Sequence, residues 1–136
     1  MALGTVLFDA FDHADEDLSM SCRPDALVLL FAVLDTSPKG YGGEVIGENW
    51  QQISPLHQIR AGMPPTLVFH GDKDGVASEA ILMEFCKRMR DEGNTCELVL
   101  EKGGKHGHIN SDMTLFDNAA ERTSAFLGDL KLGSLK

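Results

Sequence analysis

The sequence predicts an α/β domain: a three-stranded parallel sheet with helices on both faces. Three observations carry this prediction. Three short runs, ALVLLFAVL (26–34), TLVFHG (66–71) and CELVLE (96–101), have the apolar character of sheet strands, and the first is continuously apolar, as in a strand buried on both faces. Helical apolar spacing lies between and after these runs. Turn chemistry separates them: DTSPKGYGG at 35–43, Pro64-Pro65, Gly93-Asn94 and Gly103-Gly104. Strands that alternate with helices pair in parallel through right-handed crossovers.

The elements follow in order. Residues 1–11 read as a short helix or the tail of one, because Leu3, Leu7 and Phe11 recur at helical spacing. No capping residue precedes them, so this helix starts without a proper N-terminus. DHADED (12–17) lacks the spacing of a calcium loop and reads as a solvated loop. Residues 44–52 allow one or two helical turns, and Ser54 is placed to cap a short helix with Pro55 at its first position. Ser78 is expected to cap a helix running to Glu92, with Leu82, Phe85, Cys86 and Met89 on one face and Glu79 in the first turn. Gly93 supplies its stop. Ser111 or Asp112 starts a last helix to about Leu130, with an apolar stripe of Phe116, Ala119, Thr123, Phe126 and Leu130.

Composition narrows the function classes. A chain of 136 residues suits one domain, and 43% hydrophobic with 24% charged residues is ordinary globular composition. The formal net charge of −9 repels phosphate backbones and anionic lipid, so no nucleic-acid partner is expected. No run approaches the ~20 apolar residues of a membrane span. MALGTVLF lacks a basic n-region and is followed by acids rather than a cleavage site, so no signal peptide is read and the compartment stays at the cytoplasmic default. Cys22, Cys86 and Cys96 are odd in number and form neither CxxC nor zinc spacing, which predicts three free or buried thiols.

The reactive residue types sit where two strands end. In open α/β sheets, ligands and catalytic groups gather beyond the carboxyl ends of the strands. The second strand runs into His70-Gly71-Asp72-Lys73-Asp74, and the third into EKGGKHGH (101–108). One helix and one strand separate Asp74 from His106, as a βαβ step requires, so the two loops are expected side by side. A carboxylate that accepts a hydrogen bond from an imidazole N–H selects one tautomer and leaves the opposite nitrogen as a general base. Neither residue would suggest this by itself, since an Asp in a glycine-containing loop is commonly a turn residue. A metal cluster of His70, Asp72, His106 and His108 is the weaker reading, because an HxH loop lacks a defined third ligand; no metal or cofactor is expected. Ser37 sits in a Pro/Gly loop without a strained elbow, and the cysteines lack an activating signature. His70 is expected to be a packed or hydrogen-bonded support, and His57 and His13 ordinary surface or packing residues. Tyr41 and Trp50 either line a substrate pocket or, as large aromatics more often do, pack.

HGDKD, a helix, a strand and then GGKHGH is similar to the C-terminal half of α/β-hydrolases. It looks most like the esterase/lipase branch that includes acetyl-xylan-esterase-like and prolyl-oligopeptidase-like enzymes. SCRPDALVL (21–29) resembles the strand before that family's acid, and Ser54-Pro55-Leu56 the short segment preceding the acid-bearing strand. The resemblance extends from about Leu3 to Leu130 and implies that Asp74 is the triad acid and His106 the triad histidine. In this fold the serine precedes both, in G-x-S-x-G at a strand-to-helix turn. The 136 residues contain no G-x-S-x-G and no HGGG-like oxyanion-hole segment. Residues 1–136 are therefore expected to be one partial α/β-hydrolase domain, without the half that carries the nucleophile elbow. The implied function is the C-terminal portion of a serine ester hydrolase, carboxylesterase- or lipase-like, acting on a small ester in the complete enzyme and inactive by itself. The alternative is a non-catalytic, truncated remnant that serves as a folding or binding module. Either way, the first strand is expected to present an open apolar edge, which invites a missing N-terminal segment, a second copy of the chain, or aggregation.

Overall fold

Three strands lie side by side in the order β1-β2-β3, all parallel: β1 (Leu27–Leu30), β2 (Thr66–Gly71) and β3 (Cys96–Glu101). The structure is a computed structural model and describes residues 3–7, 15, 17, 19, 21 and 23–130. Phe8, Phe11, His13, Cys22 and most of the acidic stretch at 12–17 lie outside the described residues. The helices are α1 (Gly4–Leu7), α2 (Gly43–Ile46), α3 (Trp50–Ile53), α4 (Glu79–Asp91) and α5 (Met113–Asp129), with short 3₁₀ turns at Gly47–Asn49, Pro55–His57 and His108–Ser111.

Side-chain alternation divides the core into two layers. Leu27, Leu29 and Val68 face one side, where they meet Leu82, Phe85, Cys86 and Met89 of α4 together with Leu3 and Val6. Val28, Leu67, Phe69 and Val99 face the other side, against Ala119 and Phe126 of α5. This period of two is what a strand imposes, and it places α4 and α5 on opposite faces. β2 is central and buried throughout, which explains its unbroken apolar sequence.

The first strand is shorter than its apolar run. The sequence predicts a strand over 26–34, but β1 ends at Leu30, because Phe31 adopts φ 52° and leaves the extended region. Beyond it, the Leu34 carbonyl accepts from Leu56 N–H at 2.8 Å, outside the sheet, while the Leu34 side chain is buried in the core. The run is thus apolar over nine residues, while the strand it forms covers four. Within the described sheet β1 forms one edge, and Leu30 is 50% exposed rather than covered on both faces.

Three local expectations are corrected. Ser78 occupies the N-cap of α4 without a side-chain capping bond. Asp112 does cap α5, accepting from Thr114 and Leu115 N–H at 2.8 and 3.3 Å. Phe116 lies off the buried stripe of α5 and is 50% exposed, so the helix packs through Ala119 and Phe126. The third correction concerns the thiols. Cys86, on the inner face of α4, and Cys96, the first residue of β3, are joined by a disulfide with 5.2 Å between their Cα atoms. The helix carries Cys86 back over the start of the next strand, a proximity that a sequence separation of 10 does not announce.

Chain-entropy reasoning assigns a loop of this size about 2–3 kcal/mol. Reduction is therefore expected to lower the urea midpoint of the wild-type chain correspondingly, and to leave a Cys86→Ala/Cys96→Ala variant unmoved by reductant. Equal reductant sensitivity in both would refute the bond's contribution.

Candidate active site

The parallel register sets Gly71 beside Glu101, so the loops leaving β2 and β3 emerge at the same edge of the sheet. They then touch. A Cβ at Gly71 would lie 2.1 Å from the Gly104 carbonyl oxygen, and one at Gly104 would lie 2.9 Å from His108 Nδ1 and 3.0 Å from Gly71 Cα. Only residues without side chains permit this approach. Hydrogen bonds lace the contact: Asp72 N–H donates to Glu101 O at 3.1 Å, and Lys73 N–H to Gly104 O at 2.9 Å. The Asp72 carboxylate accepts from Gly103 N–H at 2.7 Å. The first acid of HGDKD is thus a strut between loops.

The second acid has a different role. Asp74 Oδ1 accepts from Val76 and Ala77 N–H at 2.7 and 3.2 Å, which closes a turn and fixes the carboxylate. Its Oδ2 lies 2.9 Å from His106 Nδ1. Asp74's side chain has no solvent exposure, whereas that of His106 is 45% exposed. Burial pushes the Asp74 carboxyl up, but the Val76 and Ala77 amides and the His106 ring together outweigh it and hold the group below the ordinary aspartate range. An ionised Asp74 makes Nδ1 of His106 the protonated nitrogen, so in the neutral ring Nε2 keeps the lone pair.

His70 supports this carboxylate from beneath. Its fully buried ring donates from Nε2 to Ala77 O at 3.0 Å, which pins the turn that carries Asp74. Its Nδ1 faces Asp74 Oδ2 at 3.7 Å without a hydrogen bond. His108 donates from Nδ1 to Lys105 O at 2.8 Å, within its own loop. The four residues considered for a metal are therefore engaged separately, and among the described residues no three His, Cys, Asp or Glu side chains gather as a metal site.

A second polar cluster escaped the sequence reading. Ser54 Oγ lies 2.9 Å from His57 Nδ1 and 3.4 Å from Asp35 Oδ1, and accepts from Thr36 N–H at 3.2 Å. The residue types match a hydrolytic triad, but Ser54 is 0% exposed, so no substrate reaches it. It clamps the loop after β1 to the segment before β2, in place of the helix cap expected of it. His57 belongs to that clamp and packs edge-on to Trp50, with ring centroids 4.9 Å apart. Nothing local marks the cluster, since Asp35 and Ser54 meet only through folding. Tyr41 is exposed and borders a depression of about 340 Å³ beside the acid loop, shared with Lys39, Asp74, Ala77, Ser78 and Ile81. Among the described residues, no serine or cysteine side chain hydrogen-bonds His106.

Residues 36–131 match the prolyl oligopeptidase family. No curated protein matches the chain by sequence. Among solved structures, Thermogutta terrifontis esterase 2 phosphoramylated by tabun superposes with a TM-score of 0.85 at 31% identity, covering 98% of this chain and 52% of that one. Its apo form gives 0.85 at 30% identity, over 98% and 53%. The propionate-bound form of the Thermogutta terrifontis enzyme gives 0.81 at 28%, also over 98% and 53%. The chain thus spans about half the length of the esterases it resembles.

Two expectations follow from the loop contact and the carboxylate. Gly71→Ala introduces an overlap with backbone rather than with a yielding side chain, and is expected to cost at least about 2–3 kcal/mol and to shift the amide resonances of 103–108. An unchanged urea midpoint would contradict the close approach. Because the Asp74 carboxyl titrates below its ordinary value of 3.8 in the fold, its ionised form adds stability that is present above about pH 4 and is lost as pH falls through the folded value. Urea midpoints measured down to pH 2.5 are expected to fall more steeply below pH 4 for wild type than for Asp74→Asn.

Proposed function

Because the chain belongs to the prolyl oligopeptidase family of α/β-hydrolases, we propose that it is the acid-and-histidine half of a serine ester hydrolase, with Asp74 as the acid and His106 as the base. The 2.9 Å contact between Asp74 Oδ2 and His106 Nδ1, with the acid buried and the imidazole nearly half exposed, carries this reading. G-x-S-x-G is absent from the 136 residues, so in this reading the nucleophile and the oxyanion-hole amides come from other polypeptide.

The chemistry follows from the geometry. A serine hydroxyl placed against Nε2 of His106 gives up its proton to that nitrogen as Oγ attacks the ester carbonyl. The imidazolium is stabilised by Asp74, which remains ionised. Collapse of the tetrahedral intermediate expels the alcohol, which takes the proton from Nε2, and leaves an acyl-serine. Water, deprotonated by the same nitrogen, then releases the acid and regenerates the serine. The propionate- and butyrate-bound forms of the similar Thermogutta terrifontis enzyme support a short acyl chain as substrate. The open edge of β1 supports a place for the missing half, because a parallel strand added there continues the sheet.

The test combines the chain with the half of Thermogutta terrifontis esterase 2 that it does not match, both as a mixture and as one fused polypeptide, and follows p-nitrophenyl butyrate hydrolysis. The chain alone is expected to be no more active than His106→Ala. The fused protein is expected to turn over, and to lose about 10⁴-fold in kcat on Asp74→Asn and about 10⁶-fold on His106→Ala. A folded fusion without turnover would instead favour a non-catalytic binding module.

A further inference from the structure

Phe31 is the only non-glycine residue with positive φ among those described, at 52°. An aromatic residue rarely adopts this backbone, and such positions persist where the surroundings demand them. The demand here is visible in the alternation of β1. Leu27 and Leu29 point into the α4 layer, so an extended residue 31 would follow them there. Phe31 packs instead against the α5-side cluster of Leu67, Phe69, Ile109, Ala119 and Phe126, as do Val28 and Val99. The positive φ switches the ring from one face of the sheet to the other, while its N–H still donates to Phe69 O at 3.0 Å and continues the ladder.

That switch brings the ring to the histidine loop. Its centroid lies 5.5 Å from that of His106, with the planes at 53°, and 4.9 Å from that of His108, edge to face at 79°. His106 is nearly half exposed and hydrogen-bonds Asp74 through Nδ1, so hydrogen bonding holds one ring atom and leaves the rest of the ring to be held by packing. An imidazole torsion is broad and roughly two-fold, and a half-turn would exchange Nδ1 for a carbon and break the bond to the acid. A neighbouring ring in van der Waals contact selects one orientation.

We infer that Phe31 is a positioning residue for His106: its ring, carried across the sheet by the strained backbone at the end of β1, holds the imidazole with Nδ1 on Asp74 and Nε2 outward. This inference rests on the Asp74–His106 relay proposed above. Phe31 touches no reacting atom and acts through the histidine.

The experiment reads the imidazole directly and requires no turnover. The chain is labelled with ¹⁵N-histidine, and long-range proton–nitrogen spectra report which nitrogen of His106 carries the proton when the ring is neutral. Wild type is expected to show the Nδ1–H tautomer. Phe31→Gly tolerates the positive φ while deleting the ring, and is expected to lose that preference with the amide spectrum of β2 and β3 unchanged. Phe31→Leu, which fills volume without an aromatic face, gives the same result if the glycine variant does not fold, and Phe31→Tyr restores the wild-type signature. A folded Phe31→Gly or Phe31→Leu chain with the wild-type tautomer overturns the inference and leaves the relay standing. A wild-type spectrum indistinguishable from that of Asp74→Asn removes the relay itself, and the inference with it.

Discussion

Two glycines in contact set the terms for everything at the carboxyl edge of the sheet. Gly71 ends β2 and Gly104 begins the histidine loop, and a methyl group on the first would sit 2.1 Å from the carbonyl oxygen of the second. With that space empty, backbone amides and carbonyls of the two loops reach each other directly, and Asp72 adds its strut to Gly103. The relative position of acid and histidine is then governed by main-chain hydrogen bonds rather than by flexible side chains. A difference of one methyl group would separate the loops by more than a hydrogen bond tolerates.

The acid also solves an electrostatic problem. A carboxylate without solvent contact is costly unless its lone pairs are satisfied. Asp74 divides its two oxygens between tasks: Oδ1 closes its own turn through two amides, and Oδ2 meets His106. Charge-assisted bonds of this kind keep the group ionised despite burial, which is the state that selects the histidine tautomer. His70 completes the support by anchoring Ala77. The Ser54–His57–Asp35 cluster uses the same residue types to opposite effect. Its serine is sealed, so its hydrogen bonds hold two chain segments together and face no substrate.

Much of this was legible in the residues. β2 and β3 have the bounds their composition predicts, and α4 is read to within a residue of its end, because central strands and amphipathic helices carry strong periodic signals. The pairing of HGDKD with GGKHGH was legible too, since parallel strands in a βαβ step deliver their loops to the same edge. β1 was overestimated because apolarity reports packing into the core, and Leu34 is buried there while its carbonyl bonds Leu56 outside the sheet. Ser78 and Phe116 carry the right chemistry for a cap and a core position, yet the first makes no capping bond and the second faces solvent. Local preference is a weak prior that packing overrides.

The sequence by itself determined the fold class, the edge of the sheet at which the loops after β2 and β3 meet, and the two residues there, Asp74 and His106, whose types and order suit an acid–base pair. These are properties of pattern and spacing, and they persist whatever the details of packing. Only the tertiary structure decided that Asp72 ties loops together, that Cys86 and Cys96 are bonded, that Ser54 clamps rather than caps, and that Phe31 crosses to the histidine side of the sheet. Each of those depends on which atoms of distant segments arrive within a few ångströms of one another. Contact at that scale is set by the simultaneous packing of all the elements, and no local stretch of the chain encodes it.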